Sequence, residues 1–310
     1  MTTAYYSTTW NNSTSAGFQA WGSALSAAMQ SCGLSQTSDT GQINWSTVAV
    51  PTTANTSAGY EIYQFTDALQ STYPIFVKIE YGTGPNQTTT GDYPQIWFTV
   101  GEGSNGSGTL TGTLTTRQNV IANYNASGSI TNTTVPYPTY ICFDGSYLGV
   151  AHKIGGMTTY NGAGYSGGMF MIGRACNSSG TYVGGLITAI SSPLAPNSTA
   201  YPFIIQCINT TTSTLYSATT GYFSIVPFSM TATTIVSTGN YQIFPCYSIY
   251  NTVTAISWCA YGLTAETTQG NTVTAAIVGS SSQTYLMTGA ASTGACVPAT
   301  AAYALLMKYQ

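Results

Sequence analysis

The chain is 310 residues long and 43% hydrophobic, enough to bury a core and too apolar for a disordered segment. Only 4% of its residues are charged, against roughly 25% in ordinary globular domains, so Thr, Ser, Asn, Gln, Gly and Tyr must supply its surface polarity. Its five basic residues, scattered as Lys78, Arg117, Lys153, Arg174 and Lys308, form no stripe and argue against nucleic acid as a partner.

Thr and the 24 Tyr favour pleated, half-buried surfaces, while 33 Gly and 12 Pro supply turns. This is the composition of an all-β extracellular or particle protein and a poor match to a cytosolic enzyme. A nearly uncharged surface also lets copies pack side by side with little electrostatic penalty. The seven cysteines contain no C-x-x-C pair, and the chain has one histidine, so no zinc set is expected and buried thiols are. The opening MTTAYYSTTW lacks the basic and apolar regions of a secretory signal, and no apolar run approaches the ~20 residues of a membrane helix. Synthesis in a host cytoplasm and residence in a virus particle is the simplest expectation.

In chain order, residues 1–14 read as an extended arm. Residues 15–31 read as a helix, with Ser15 as its cap, Phe18, Trp21, Leu25, Ala28 or Met29, and Cys32 at helical spacing, and Gly33 at its end. Two uses of that apolar face are open: packing on the chain's own sheet, or docking into a partner through Phe18, Trp21 and Leu25. A short strand is expected around Gln42–Val50 and a helical turn at Thr66–Ser71. Pro74–Tyr81 alternates, with Ile75, Val77, Ile79 and Tyr81 on one face and Phe76, Lys78 and Glu80 on the other; Gln95–Val100 repeats the pattern. Arg117–Tyr124 reads as a strand or short helix, and residues 125–137 as a linker. From there short strands recur with turn signals, among them Thr139–Phe143 and Tyr147–His152 around Asp144-Gly145, then Met169–Arg174, Tyr182–Thr188, Tyr201–Ile208, Gly221–Phe228, Tyr241–Tyr247, Ala255–Tyr261, Val273–Val278, Thr284–Met287 and Ala302–Lys308. The predicted fold is mainly β: an N-terminal α+β domain (1–124), the linker, and an antiparallel β-sandwich or jelly-roll-like domain (138–310).

Tyr60–Gly112 holds Glu61, Asp67, Lys78, Glu80, Asp92 and Glu102, six of the thirteen charged residues, and is the first place to look for chemistry. Gly101-x-Gly103-x-x-Gly106 has the spacing of a dinucleotide fingerprint. The next residues, SGTLTGTL, are not a helix-forming run, and no acid lies about 20 positions on, so a β-turn is expected. His152 with Asp144 lacks a G-x-S-x-G nucleophile and reads as a strand-end residue. Glu61, Glu80, Asp92 and Glu102 are the acids from which a glycosidase pair would come, and surface pairs and turn caps explain them as well. Tyr160 and Tyr165 in a Gly-rich loop suit contact with a host surface or a neighbouring protomer. No catalytic residue, cofactor or metal is expected.

The wording YQFTDALQ, PIFVKIEYGTG, IWFTVGEGSNGSGTLTG and TRQ resembles virion structural proteins of tailed bacteriophages, of the tail-fibre, baseplate or capsid-accessory type, over roughly residues 15–117. The resemblance implies assembly and adhesion without catalysis, a homo-oligomer (a trimer by analogy) and other virion proteins as partners. A capsid decoration protein, a host-glycan-binding module and a tail-associated depolymerase are the alternative readings.

Overall fold

The computed structural model describes residues 2–10, 14–53, 56–83, 94–115, 117–119, 135–152, 168–176, 182–192, 204–209, 214–217, 242–250, 252–261, 272–275, 283–287 and 303–309. Among these the chain is mostly antiparallel β-sheet with one α-helix. The first part comprises β1 (Thr2–Trp10), α1 (Ser15–Ser31), β2 (Ser35–Gln36), β3 (Thr56–Gln64), a 3-10 turn at Ala68–Ser71, β4 (Phe76–Thr83), β5 (Pro94–Gly101), β6 (Gly103–Ser104), β7 (Leu110–Thr111) and β8 (Gln118–Asn119). Beyond it come β9 (Val135–Phe143), β10 (Tyr147–His152), β11 (Gly168–Cys176), β12 (Tyr182–Ser192), β13 (Ile204–Asn209), β14 (Thr214–Ser217), β15 (Gln242–Tyr250), β16 (Thr252–Tyr261), β17 (Thr272–Ala275), β18 (Gln283–Met287) and β19 (Tyr303–Lys308). They form sheets ordered β1-β9-β10-β11-β12-β13-β14, β2-β3-β4-β5-β8 and β15-β16-β19-β18-β17, with β6 and β7 as a separate hairpin.

The helix forms where its spacing predicts, with a different cap. Thr14, in extended backbone, accepts the Gly17 N–H on its hydroxyl at 3.1 Å. Ser15 is already helical and instead accepts the Val50 N–H at 3.1 Å. At the other end Gly33 takes φ +100°, which lets the Leu34 N–H reach the Met29 carbonyl and the Gly33 N–H that of Gln30. Phe18, Trp21, Leu25 and Met29 have no exposed surface. Each such side chain contributes about 1.5–3 kcal/mol by burial.

Alternation in β4 is as read: Val77, Ile79 and Tyr81 are fully buried, while Phe76, Lys78 and Glu80 are half-buried. In β5 Ile96, Phe98 and Val100 are buried as expected, but so are Gln95 and Trp97. One reason is that the Arg117 guanidinium lies 3.9 Å from the centre of a Trp97 ring.

Two expectations fail. Residues 2–10 are no free arm: they pair antiparallel with β9 over nine positions, from Thr2↔Phe143 to Trp10↔Val135. Gln42–Val50 is not a strand, because Asn44 folds it into a turn. Its side-chain oxygen accepts the Ser46 N–H and hydroxyl (3.0 and 2.7 Å), and its carbonyl accepts the Thr47 and Val48 N–H groups. The expected strand at Gly221–Phe228, and most of the 125–137 stretch, lie outside the described residues.

One core runs through α1, β3, β4 and β5 and includes Ile141, Phe143, Leu148, Val150, Phe170 and Ile172 of β9, β10 and β11. Phe65 meets Phe143 edge-on at 5.4 Å, and Phe98 stacks on Phe170 at 5.1 Å. Trp45 seals the helix end of this core, 5.6 Å from the Phe18 ring and 4.9 Å from that of Tyr81. Gly22 makes room for it, since a Cβ there would fall inside the Trp45 ring. Helix propensity alone favours Gly22→Ala by about 1 kcal/mol, yet displacing Trp45 costs about 1–3 kcal/mol as overpacking. The substitution is therefore expected to destabilise, and urea denaturation followed by Trp fluorescence reads the sign.

Candidate functional site

The most unusual group in the described fold is Glu61, a carboxylate only 2% exposed beneath α1. Four donors surround it. Oε1 accepts the Ser26 hydroxyl at 2.7 Å and the Trp45 indole N–H at 3.1 Å. Oε2 accepts the Tyr63 and Tyr81 hydroxyls at 2.8 and 2.5 Å. Two donors on each oxygen match the number of its lone pairs, and they come from α1, the turn at Trp45, β3 and β4. Burial raises the Tyr63 and Tyr81 pKa values well above the phenol range, and the neighbouring Glu61 charge adds to the effect. The arrangement fixes a carboxylate inside the core, with its acceptor capacity taken up by the chain itself.

The other acids of this stretch do not join it. Glu61 pairs with Ile79 across β3 and β4, and Glu80 with Tyr60, so the two carboxylates project from opposite faces of the sheet. Glu80 instead bonds the Arg117 Nε at 2.9 Å. Glu102 follows β5 at the base of the β6–β7 hairpin, where its N–H donates to the Thr111 carbonyl at 2.9 Å. Asp92 lies outside the described residues. Thus Glu61 and Glu80, the two candidates whose facing the strand register settles, are not brought together as a glycosidase pair. The glycine fingerprint resolves as the expected turn: Gly106 and Gly108 take φ +80° and +89° within a hairpin, and the next described element is the strand β7. Asp144-Gly145 likewise turns β9 into β10, with Gly145 at φ +93° and Asp144 Oδ1 accepting the Ser146 N–H at 3.0 Å. His152 ends β10, opposite Thr139 and Gly168.

A cleft of about 300 Å³ opens where α1, β1, the Thr66–Asp67 segment and the β9–β10 turn meet, lined by Cys32, Asp67, Phe143 and Asp144 among others. Behind it Arg174, 3% exposed on β11, grips Asp67 with a two-pronged guanidinium contact, Nη2 to Oδ1 at 2.8 Å and Nε to Oδ2. Its Nη1 also donates to the Tyr73 carbonyl at 2.8 Å. Cys32 at the floor is a buried thiol whose pKa burial pushes up to about 11, despite an opposing hydrogen bond to Ser31, which leaves it a weak nucleophile.

Asp39, which composition and pattern gave no reason to single out, fastens the β6–β7 hairpin to the preceding loop. Its carboxylate accepts the Ser104 hydroxyl, the Thr37 hydroxyl at 2.6 Å and the Gly108 N–H at 3.1 Å. Around it the Tyr60 hydroxyl donates to the Thr40 carbonyl at 2.7 Å, and Lys78 Nζ donates to the Gly108 carbonyl at 2.8 Å. Burial alone would raise the Asp39 pKa, but hydrogen bonds from Ser104, Thr37, Gly108 and Gly106 outweigh it and hold it below the usual Asp value. A depressed carboxyl pKa contributes stability that is complete above the unfolded value of about 3.9 and is lost as pH falls through the folded value. Amide exchange at residues 104–109, corrected for intrinsic rates, is expected to accelerate in that acid window in the native chain. It should already be fast and flat with pH in Asp39→Ala.

Phe18, Trp21 and Leu25 are placed in the chain's own core, with no exposed surface. Tyr160 and Tyr165 lie outside the described residues.

No family model, curated protein or solved structure matches the chain. Three groups organise the described fold: Glu61 with its four donors, Asp39 with the hairpin, and Arg174 with Asp67. Among the described residues no set of three or more His, Cys, Asp or Glu side chains is arranged to hold a metal, and no helix is long and apolar enough to cross a membrane.

Proposed function

We propose that the chain is a non-enzymatic structural component of a tailed-phage particle, a tail-fibre, baseplate or tail-accessory protein working in assembly and host attachment. The observation that carries this reading is the scarcity of outward charge on an antiparallel β fold. The charges in the described part are largely turned inward or paired: Glu61, Asp39 and Arg174 are buried, Asp67 is held by Arg174, and Glu80 by Arg117. What remains outside is mostly Thr, Ser, Asn and Gly, a surface that lets identical copies approach closely with little repulsion. The likeness of Tyr60–Gly112 to phage virion proteins supports the same reading.

On this reading the downstream strands form a β-sandwich or jelly-roll-like region facing outward, with host-surface contact in loops such as that of Tyr160 and Tyr165. The working form is a homo-oligomer, a trimer by analogy. Sedimentation of the purified chain at increasing concentration, together with immunogold labelling of purified particles, tests it. A concentration-independent monomer that is missing from the particle would overturn it, and labelling spread over the capsid rather than the tail would make it a decoration protein.

A further inference from the structure

We propose that Asn105–Gly106, at the exposed tip of the β6–β7 hairpin, is a self-modifying site at which the folded chain converts Asn105 to aspartate or isoaspartate. Three donors converge on Asn105 Oδ1: the Ser107 N–H at 2.9 Å, the Ser107 hydroxyl at 3.0 Å and the Thr109 N–H at 3.1 Å. Donors fixed on a carbonyl oxygen that gains negative charge during attack stabilise that charge as an oxyanion hole does. The nucleophile is the neighbouring amide nitrogen, held next to the carboxamide by the chain itself. Gly106 N–H donates to Ser104 Oγ at 3.2 Å, and the Ser104 hydroxyl directs its own proton to Asp39. The Ser104 oxygen is thereby fixed as an acceptor for the proton that Gly106 must lose. Gly106 carries no side chain to obstruct ring closure, and no atom beyond its own chain neighbours lies within 4 Å of the place a Cβ would occupy.

The step balances with water alone. The Gly106 nitrogen bonds to Asn105 Cγ and gives its proton to Ser104 Oγ as the Ser104 hydroxyl proton moves to the Asp39 carboxylate, which releases it to water. The Cγ–Nδ2 bond breaks, and that nitrogen takes a proton from water and leaves as ammonia. Water then opens the cyclic imide at either carbonyl, giving aspartate or isoaspartate. One water is consumed, one ammonia is released, and an uncharged tip beside Asp39 gains a negative charge in a chain whose net charge is −3. Ser104 touches the reacting N–H; Asp39 is a positioning residue that acts through it.

The experiment is peptide mapping by mass spectrometry of the full chain aged in ¹⁸O-water at mildly alkaline pH, folded and in urea. Asn161-Gly162 of the same chain serves as a sequence-matched reference. Conversion at Asn105 is expected to be severalfold faster folded than in urea. That excess should be lost in Ser104→Ala, with hairpin amide exchange measured alongside. Equal or slower conversion in the folded chain, or an excess that survives Ser104→Ala, would overturn the proposal. Should Ser104→Ala loosen the hairpin, Asp39→Asn serves as the second variant, and an undiminished excess there overturns it equally.

Discussion

Glu61→Ala is expected to lower the unfolding free energy by roughly 2–6 kcal/mol, at about 1–3 kcal/mol for each of the two donors left without an acceptor. The truncation orphans the donors of Trp45 and Tyr81, while the Ser26 and Tyr63 hydroxyls, already 3.3 Å apart, can still serve each other. Such a loss is of the same order as the whole stability of a typical domain, about 5–15 kcal/mol. Urea unfolding monitored at Trp21 and Trp45 measures it, and a change below about 1 kcal/mol, the ordinary size of a point-mutant effect, would show the donors to be satisfied otherwise. Glu61→Gln keeps one acceptor oxygen but turns an amide NH₂ toward two donors, so roughly half the loss is expected. Removing the polarity on both sides, as Glu61→Leu with Tyr63→Phe and Tyr81→Phe, should recover much of it, because a buried polar cluster replaced by apolar side chains of similar volume is often neutral or better. The phenols add a pH signature. Their raised pKa values contribute stability that is complete below the unfolded tyrosine value of about 10 and is lost as pH rises toward the folded values. Stability should therefore decline above about pH 10 in the native chain and less steeply in the Tyr-to-Phe variant.

The sequence made legible what depends on local period. The helix over 15–31, the inward set Val77, Ile79 and Tyr81, the turn at Asp144-Gly145 and the failure of the glycine fingerprint each come from spacing within a few residues. Less legible was what depends on partners far along the chain. Glu61 reads as a polar residue in an apolar strand, and only the fold shows that Ser26, Trp45, Tyr63 and Tyr81 converge on it. Trp45 falls in a segment whose apparent strand pattern is overridden by the side chain of Asn44. Asp39 sits in a plain polar loop and acquires its role from Ser104 and Gly108, 65 and 69 positions on. Residues 2–10 have strand composition, but nothing local says that their partner is β9. A signal did exist for Glu61: an acid two positions before a Tyr in an alternating apolar strand, with a Ser on the facing helix stripe, calls for a buried acceptor and its donors.

Arg174→Ala is expected to cost about 3–5 kcal/mol, the usual penalty for removing one partner of a buried ion pair. The Arg174 side chain is fully buried and that of Asp67 only 14% exposed, so water replaces little of what is lost. Three contacts go together, two to Asp67 and one to the Tyr73 carbonyl. Arg174→Lys should recover only part of the loss, since an ammonium cannot reproduce the planar fork that engages both carboxylate oxygens. A double-mutant cycle with Asp67→Ala isolates the pair: the double variant should be less destabilised than the sum of the singles, because Asp67 is no longer left uncompensated. The same variants decide how the chain divides. Arg174 belongs to β11, whereas Asp67 and Tyr73 lie between β3 and β4, and the adjacent Thr66 N–H donates to the Gly145 carbonyl in the β9–β10 turn. With Phe65 against Phe143 and Phe98 against Phe170, these contacts tie the Tyr60–Gly112 stretch to the strands beyond residue 138. If the two parts unfold as one unit, Arg174→Ala should raise amide exchange in β3 and β4 as much as in β10 and β11. Exchange raised only in β10 and β11 would mean that the N-terminal part holds its fold independently of the strands it is packed against.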